Sequence, residues 1–278
     1  MRRAGTRGCG RTRAARLAAL DRVLVHCERE LLARDDGAFG SAVCVDVGVG
    51  ESPWTTLEYA QAVQLVRSDL RVIGVENDPE RLAHATAFGG PRLEYRGSSG
   101  FELPLTTEEP ARLVRAMNLL RSYREQEVPE AHRALATPLL PGGLLIEGSS
   151  SSDGGVACAH WLRKRSDRLT REALLFATDY THGFSPWLFR DWLPRDLRRH
   201  TRPPEPLFEF FRSWSGAFEA ARSTGLCEAS ALFVHSALIL STRVAGIVLD
   251  SFLLSQGCLF WKPLGGIPSA CRTLEAPA

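Results

Sequence analysis

The sequence predicts an α/β protein built on a doubly wound, mostly parallel sheet with helices on both faces. Three observations carry this. Short apolar runs bounded by turn residues alternate with segments of helical periodicity, the rhythm of a parallel sheet with crossover helices. Two of the runs, Val43-Cys44-Val45-Asp46 and Val72-Ile73-Gly74-Val75-Glu76, lie one helix apart and each ends in an acid. Between them stands Val47-Gly48-Val49-Gly50, a turn whose glycines let the backbone approach a ligand with no Cβ in the way.

In chain order, Leu17, Leu20, Leu24, Leu31 and Leu32 recur at helical spacing and predict an amphipathic helix over residues 13–33, ended by Asp35-Asp36-Gly37. Strand one is expected at 42–47. A loop to Trp54 follows, then a helix with Leu57, Ala60, Val63 and either Leu65 or Val66 inward. Strand two spans 71–75, and Asp78-Pro79 opens a further helix, proline suiting its first position. Strands at 92–95 and 113–117 and a charged helix over 122–136 come next. The turn Leu140-Pro141-Gly142-Gly143 then feeds a fifth strand ending near Glu147. Residues 156–162 and 173–177 read as two more strands joined by a basic segment. Beyond about residue 181 aromatic residues mix with arginines and prolines, a helix falls near 215–224, and the apolar stretch 229–262 adds helix and strand. Three regions follow: a basic N-terminal arm and helix (1–39), a ligand-binding domain (40–182) and a C-terminal aromatic, basic and apolar extension (183–278).

With 278 residues, 44% of them hydrophobic, the chain can bury a proper core. A net charge of only +2 imposes no global demand for a polyanionic partner, although arginines crowd the first sixteen residues. Seven cysteines lie far apart without a C-x-x-C, and no histidine pair has ligand spacing, so neither a disulfide framework nor a metal site is expected. Scattered thiols fit a reducing compartment, and the longest uncharged stretch, 229–242, is too short to span a bilayer. A cytoplasmic protein is the expectation.

The glycine turn decides between cofactors. A dinucleotide site wants G-x-G-x-x-G, and the third glycine position holds Pro53, which has no N–H for a phosphate. Asp46 sets negative charge where a pyrophosphate would lie and suits a positive amino group and a sulfonium instead. Here the sequence resembles the class I S-adenosylmethionine (SAM) dependent methyltransferases, with their apolar-apolar-D/E-x-G-x-G motif and Rossmann-like fold. The resemblance covers residues 40–180 and departs from the fuller motif at Ser52, with Pro53-Trp54 unusual in that loop.

The resemblance implies that Asp46 sits near the methionine portion with Gly48 to Gly50 beneath it. Glu76 holds the ribose, and Asn77 and Asp78 shape the adenine side. In the loop Gly97-Ser98-Ser99-Gly100-Phe101-Glu102, Phe101 covers the adenine ring and Glu102 makes a polar contact. Val114-Arg115-Ala116-Met117-Asn118 resembles a segment of the chemotaxis-receptor methyltransferases, which places Asn118 at the methyl end; an N-cap role for Asn118 is equally compatible. Asn118 and His182 are the catalytic candidates. The acceptor stays open among small molecules, RNA and protein. Basic clusters at 163–171 and 195–202 are placed to meet RNA phosphates and Trp187, Phe189 and Trp192 to stack bases, although Asp167, Asp191 and Asp196 interrupt them. Two other classes compete: a non-catalytic scaffold or RNA-binding module, and an NAD-dependent oxidoreductase.

Overall fold

The computed structural model describes residues 13–166 and 168–263. Arg2, Arg3, Arg7, Arg11 and Cys9 of the basic arm lie outside the described residues, as do Asp167 and Cys271. In chain order the elements are α1 (Ala18–Cys27), α2 (Arg29–Ala33), β1 (Val43–Val47), α3 (Trp54–Gln64), β2 (Val72–Glu76), α4 (Pro79–Thr86) and β3 (Leu93–Gly97). Then come β4 (Ala111–Met117), α5 (Val128–Ala136), β5 (Leu139–Ser150), β6 (Val156–Arg165), β7 (Arg168–Thr178), α6 (Pro206–Arg222), α7 (Ala229–Ser241), β8 (Ile247–Val248), α8 (Ser251–Ser255) and β9 (Cys258–Trp261).

One nine-stranded sheet runs in the order β3-β2-β1-β4-β5-β6-β7-β9-β8. Its first five strands are parallel, the Rossmann-like half, and the chain reverses direction across the sheet between β1 and β4. Ligands of such sheets bind at that switch point, beyond the carboxyl ends of the strands. From β6 onward every pairing is antiparallel. Because β9 and β8 pair beyond β7, the expected boundary after residue 182 falls within a continuous sheet.

Strand alternation assigns the two faces. Cys44, Val72, Leu113, Ile146 and Leu175 face Leu20 and Leu24 of α1, Leu32 of α2, and Tyr59, Ala60 and Val63 of α3. Val45, Ile73, Val75, Val114 and Leu145 face Leu135 and Ala136 of α5, and Cys158, Leu174 and Phe176 lie under the aromatic hairpin of α6 and α7. The expected N-terminal helix forms as two pieces. Leu65 points outward at 85% exposure, so the inward choice is Val66.

Arg112 explains how the N-terminal helices meet the sheet. Fully buried, it donates to the backbone carbonyls of Leu31, Leu32 and Arg34 at the end of α2, and to those of Phe39 and Ala42 before β1. These carbonyls include the orphaned acceptors every helix end leaves.

As expected, a loop and not a helix connects β3 to β4; the chain crosses extended and sends Leu103 and Leu105 onto the sheet. The basic segment expected to join the sixth and seventh strands is itself strand, so the two form a long hairpin, and the bulge at Trp161/Leu162 shifts its register. The turn Leu140–Gly143 likewise lies within β5, as a register shift against β4. Among the described residues no helix is long and apolar enough to cross a membrane.

Candidate functional site

Gly48 (φ +88°) and Gly50 (φ +82°) hold left-handed conformations just past β1, which explains why glycine stands at both positions. Glu76, at the tip of β2, is buried and reaches across to this turn. Its Oε2 accepts from the Gly50 N–H (2.8 Å), and its Oε1 accepts from the N–H groups of Asn77 (3.0 Å) and Asp78 (3.1 Å). A carboxylate offers about four acceptor positions, so the remaining capacity lies on Oε2, beside Gly50. The glycine turn and the second-strand acid, each assigned to the ligand from the sequence, are in direct contact with one another.

Asp46 is placed differently from expectation. It is buried, with Oδ1 accepting from Arg115 Nε (2.8 Å) and Oδ2 from both Arg115 Nη2 (2.9 Å) and Thr56 Oγ1 (2.7 Å). Arg115 also donates to Asp21 of α1 and to the Thr55 carbonyl (2.8 Å), with its guanidinium carbon 4.3 Å from the centre of the Tyr59 ring. Burial pushes the Asp21 carboxyl up to about 6, against the pull of Arg115, and its Oδ2 has no hydrogen-bond partner. Two acids thus share one arginine, and Asp46 takes the bidentate geometry. The charge that the resemblance offers to an amino group is already neutralised, and the Asp46 side chain instead ties β1, β4 and the first turn of α3 together.

Asn118 closes β4 in the left-handed region (φ +63°). Its Nδ2 donates to Ser150 Oγ (3.0 Å), its Oδ1 accepts from the Ser150 N–H (2.8 Å), and its own N–H donates to the Gly148 carbonyl (2.7 Å). Among the described residues these bonds tie it to β5, and no N-cap bond is made. A Cβ at Gly48 would lie 3.7 Å from Leu119 Cδ1, so the β4 tip borders the glycine turn. Gly48, Gly50, Glu76, Asn118 and Ser150 form one rim at the carboxyl ends of β1, β2, β4 and β5.

The other expected contacts scatter. Asn77 is exposed just past the β2 tip, while Asp78 uses Oδ1 to cap α4 through the N–H groups of Glu80 (3.0 Å) and Arg81 (3.1 Å). Phe101 packs with Leu120, Val128 and Ala131, its ring centre 5.0 Å from that of Tyr123. Glu102 lines a groove of about 660 Å³ between the β3–β4 loop and α5, which also includes Pro110 and Pro138 ahead of β4 and β5; no residue of the glycine turn lines it. His182 is exposed on the turn after β7, its Nε2 2.7 Å from Asp153 Oδ2. Hydrogen bonds from Ser151 Oγ and the Gly155 N–H, with His182 adding to them, hold the Asp153 carboxyl well below the usual carboxylate range.

No protein-family model matches the chain, and no curated protein matches it. Solved structures resemble parts of it. A DUF574 family protein from Streptomyces avermitilis is 20% identical over 50% of this chain and 55% of its own, with a TM-score of 0.37. The CcbJ methyltransferase from Streptomyces caelestis is 16% identical over 60% of this chain and 66% of its own, also at 0.37. An O-methyltransferase family 2 protein from Planctomyces limnophilus, in complex with apigenin, is 19% identical over 49% of this chain and 44% of its own, at 0.33. The chain spans about half the length of the first and last of these. Most of the structures it resembles are described as methyltransferases. Likeness at this level is of backbone arrangement only.

A second polar cluster lies in the sheet. His160 on β6 accepts at Nδ1 from Arg171 Nε (3.0 Å), so its proton sits on Nε2 and is donated to Asp196 Oδ1 (2.8 Å); Arg171 Nη2 donates to Asp196 Oδ2 (2.9 Å). Glu147 lies beside them, 3.3 Å from His132 Nε2. Burial first, then Arg171, lowers the pKa of His160. Glu147, His160 and Asp196 are close enough to ligate a cation. Both ring nitrogens of His160 are already occupied, and Arg171 supplies the positive charge, so a metal would have to displace an arginine.

Sequence reasoning missed Thr56, Arg115, Ser150, Arg16 and Arg121. Arg16 donates from Nε to the Ser151 carbonyl (2.9 Å) and from Nη2 to that of Ser150 (3.2 Å), and Arg121 reaches the same Ser150 carbonyl (3.2 Å). A signal existed for one of them: Arg115 stands inside the apolar run Leu113–Met117, and a charge in a buried strand calls for a buried partner.

Proposed function

We propose that this protein is a SAM-dependent methyltransferase. The observation that carries the reading is the Glu76–Gly50 contact across two left-handed glycines at the switch point of the sheet. The residues present fit the adenosyl half of the cofactor. Gly48 and Gly50 leave room for close backbone approach, the free capacity on Glu76 Oε2 accepts a ribose hydroxyl, and Asn77 borders the adenine side. A second ribose bond to Glu76 comes only as the Gly50 N–H yields its place. SAM would supply an electrophilic methyl, so the work left to the chain is positioning the acceptor and excluding water. Asn118, held rigid by Ser150, orients groups at the methyl end; His182, exposed on the turn after β7 beside Asp153, is the candidate proton acceptor. The cytoplasmic setting rests on the scattered cysteines.

A specific observation favours a second reading, a scaffold that has kept the fold without the chemistry: Asp46 is committed to Arg115. The RNA-binding form of that reading has less support. Arg163 pairs with Glu28 and Glu172, Arg171 with Asp196, and His200 with Glu125. Phe189 is buried against Trp214, and Trp187 stacks on Phe211. Pro53 argues against NAD as before.

Thermal unfolding and calorimetry with SAM, S-adenosylhomocysteine and NAD test the proposal. Ligand at about a hundred times its Kd stabilises by roughly 2.7 kcal/mol. Stabilisation by either adenosyl ligand, lost in Glu76→Ala and absent with NAD, is the expected result. No response to SAM or S-adenosylhomocysteine would make the scaffold the better account.

A further inference from the structure

We infer that the acceptor is a small anionic molecule, carboxylate or phosphate, held by Arg16, Arg121 and Arg198 at the end of β5. This rests on the methyltransferase reading and adds to it a substrate class and the residues that select it.

Arg16 and Arg121, from distant parts of the chain, converge on the Ser150 carbonyl, and Arg198 bonds the Asp191 carbonyl next to Trp192, the ring on which Arg121 lies. Arg16 precedes α1, Arg121 follows β4, and Arg198 lies between β7 and α6. All three are half-buried. Their hydrogen bonds run to main-chain carbonyls: Arg16 to Ser150 and Ser151, Arg121 to Ser150, and Arg198 to Asp191 (2.7 Å). Among the described residues none of the three is ion-paired, whereas Arg115, Arg163 and Arg171 each hold a carboxylate. The nearest acids are engaged or peripheral. Asp153 attracts Arg16 but is bonded to Ser151, Gly155 and His182, and the exposed Asp191 attracts Arg121.

Clustered cations without an ion-pair partner in contact are costly, because each is partly desolvated and repels the others. Burial, and then Arg198 and Arg16, lower the pKa of Arg121. An anion entering the cluster relieves both penalties and meets several unused N–H donors of known fork geometry. The arrangement is also held in place. The Arg121 guanidinium carbon lies 4.3 Å from the centre of the Trp192 ring, which fixes its plane. Gly154 lies so close to the Arg16 backbone that a Cβ there would stand 2.2 Å from the Arg16 carbonyl oxygen, so the β5–β6 turn clamps the N-terminal segment.

Position supplies the remaining argument. The Ser150 carbonyl that receives Arg16 and Arg121 belongs to the residue whose N–H and hydroxyl bond Asn118. The cationic cluster and the proposed methyl end are thus joined through one residue. An acceptor gripped by its acid group at the arginines presents the rest of its body toward Asn118.

The test titrates full-length protein, with S-adenosylhomocysteine present, using inorganic phosphate, benzoate and the neutral isostere benzamide. Saturable binding of phosphate or benzoate is expected, with benzamide silent. Kd should rise at least tenfold in Arg121→Gln and in Arg198→Gln, and Arg121→Lys should recover part of the loss. Preference for phosphate identifies a phosphate ester as the acceptor, preference for benzoate a carboxylic acid. Unchanged affinity in both glutamine variants at wild-type Tm, or equal binding of benzamide, would overturn the inference. Binding of S-adenosylhomocysteine is read in the same experiment. If it binds and neither anion does, only this inference fails; if the anions bind and it does not, the cofactor reading fails.

Discussion

Arg115 grips Asp46 with two parallel hydrogen bonds, Nε to Oδ1 at 2.8 Å and Nη2 to Oδ2 at 2.9 Å, in a site from which water is excluded. Asp46→Ala therefore tests the fold before it tests the ligand. Removing one member of a buried pair costs about 3–5 kcal/mol, because the other charge is left uncompensated. Asp46→Ala and Arg115→Met should each lower Tm by on the order of 10 °C. The double variant should lose less than the sum of the two, and strict additivity in thermal melts would show that the pair is not coupled.

Asp21 should make stability fall as pH rises through mild acidity. Its carboxyl is pushed up from 3.8 to about 6, so the folded state holds that proton more tightly than the unfolded chain. Its contribution is complete below about pH 4 and is lost as pH passes about 6. Other carboxylates move stability the opposite way, so the comparison is with Asp21→Asn, which keeps an acceptor for Arg115. Wild type minus variant stability should drop by on the order of 2 kcal/mol between pH 4 and pH 7. Parallel urea-melt profiles across that range would contradict this.

Asn118 is a left-handed residue with a side-chain task, and two substitutions separate these properties. Asn118→Gly relaxes the backbone and loses the bonds to Ser150. Asn118→Ala loses the same bonds and keeps an unfavourable φ, at a further cost of about 1–2 kcal/mol. The glycine variant should melt higher than the alanine variant, and both should lower any methyl-transfer rate once an acceptor is found. A higher Tm for the alanine variant would mean that φ is not strained.

Gly154→Ala should loosen the N-terminal segment. The position has φ +84°, and the added Cβ meets backbone, which cannot swing aside as a side chain would. Hydrogen exchange at residues 13–17 should quicken, with a fall in Tm of a few degrees and weaker anion binding. Unchanged protection there would mean that the clamp is not what holds Arg16.

The legible part of the site was the part written locally. Gly48, Gly50 and Glu76 each declare their role within a few residues, through a turn that needs positive φ and an acid at a strand end. Pairing of charges was not legible, because Arg115 lies 69 residues from Asp46 and 94 from Asp21. Phe101 and Glu102 were assigned by analogy to a loop that here carries no helix, and the two side chains part, one into a small core beside α5 and the other into a groove. Trp187, Phe189 and Trp192 read as base-stacking residues only while their packing partners were unknown, among them Phe211 and Trp214 of α6.

By itself, the sequence determined the alternation of strands and helices, the glycine turn and the acid that meets it, since hydrophobic period and backbone sterics act over a handful of residues. Only the tertiary structure decided which charges are neutralised and which stay available. Arg115 quiets Asp46, Arg171 fills the His160 cluster, and Arg16 and Arg121 meet at the Ser150 carbonyl without an ion-pair partner among the described residues. Coulomb energy depends on distance in space, and strand order, with β4 beside β1 and β5 beside β4, sets that distance.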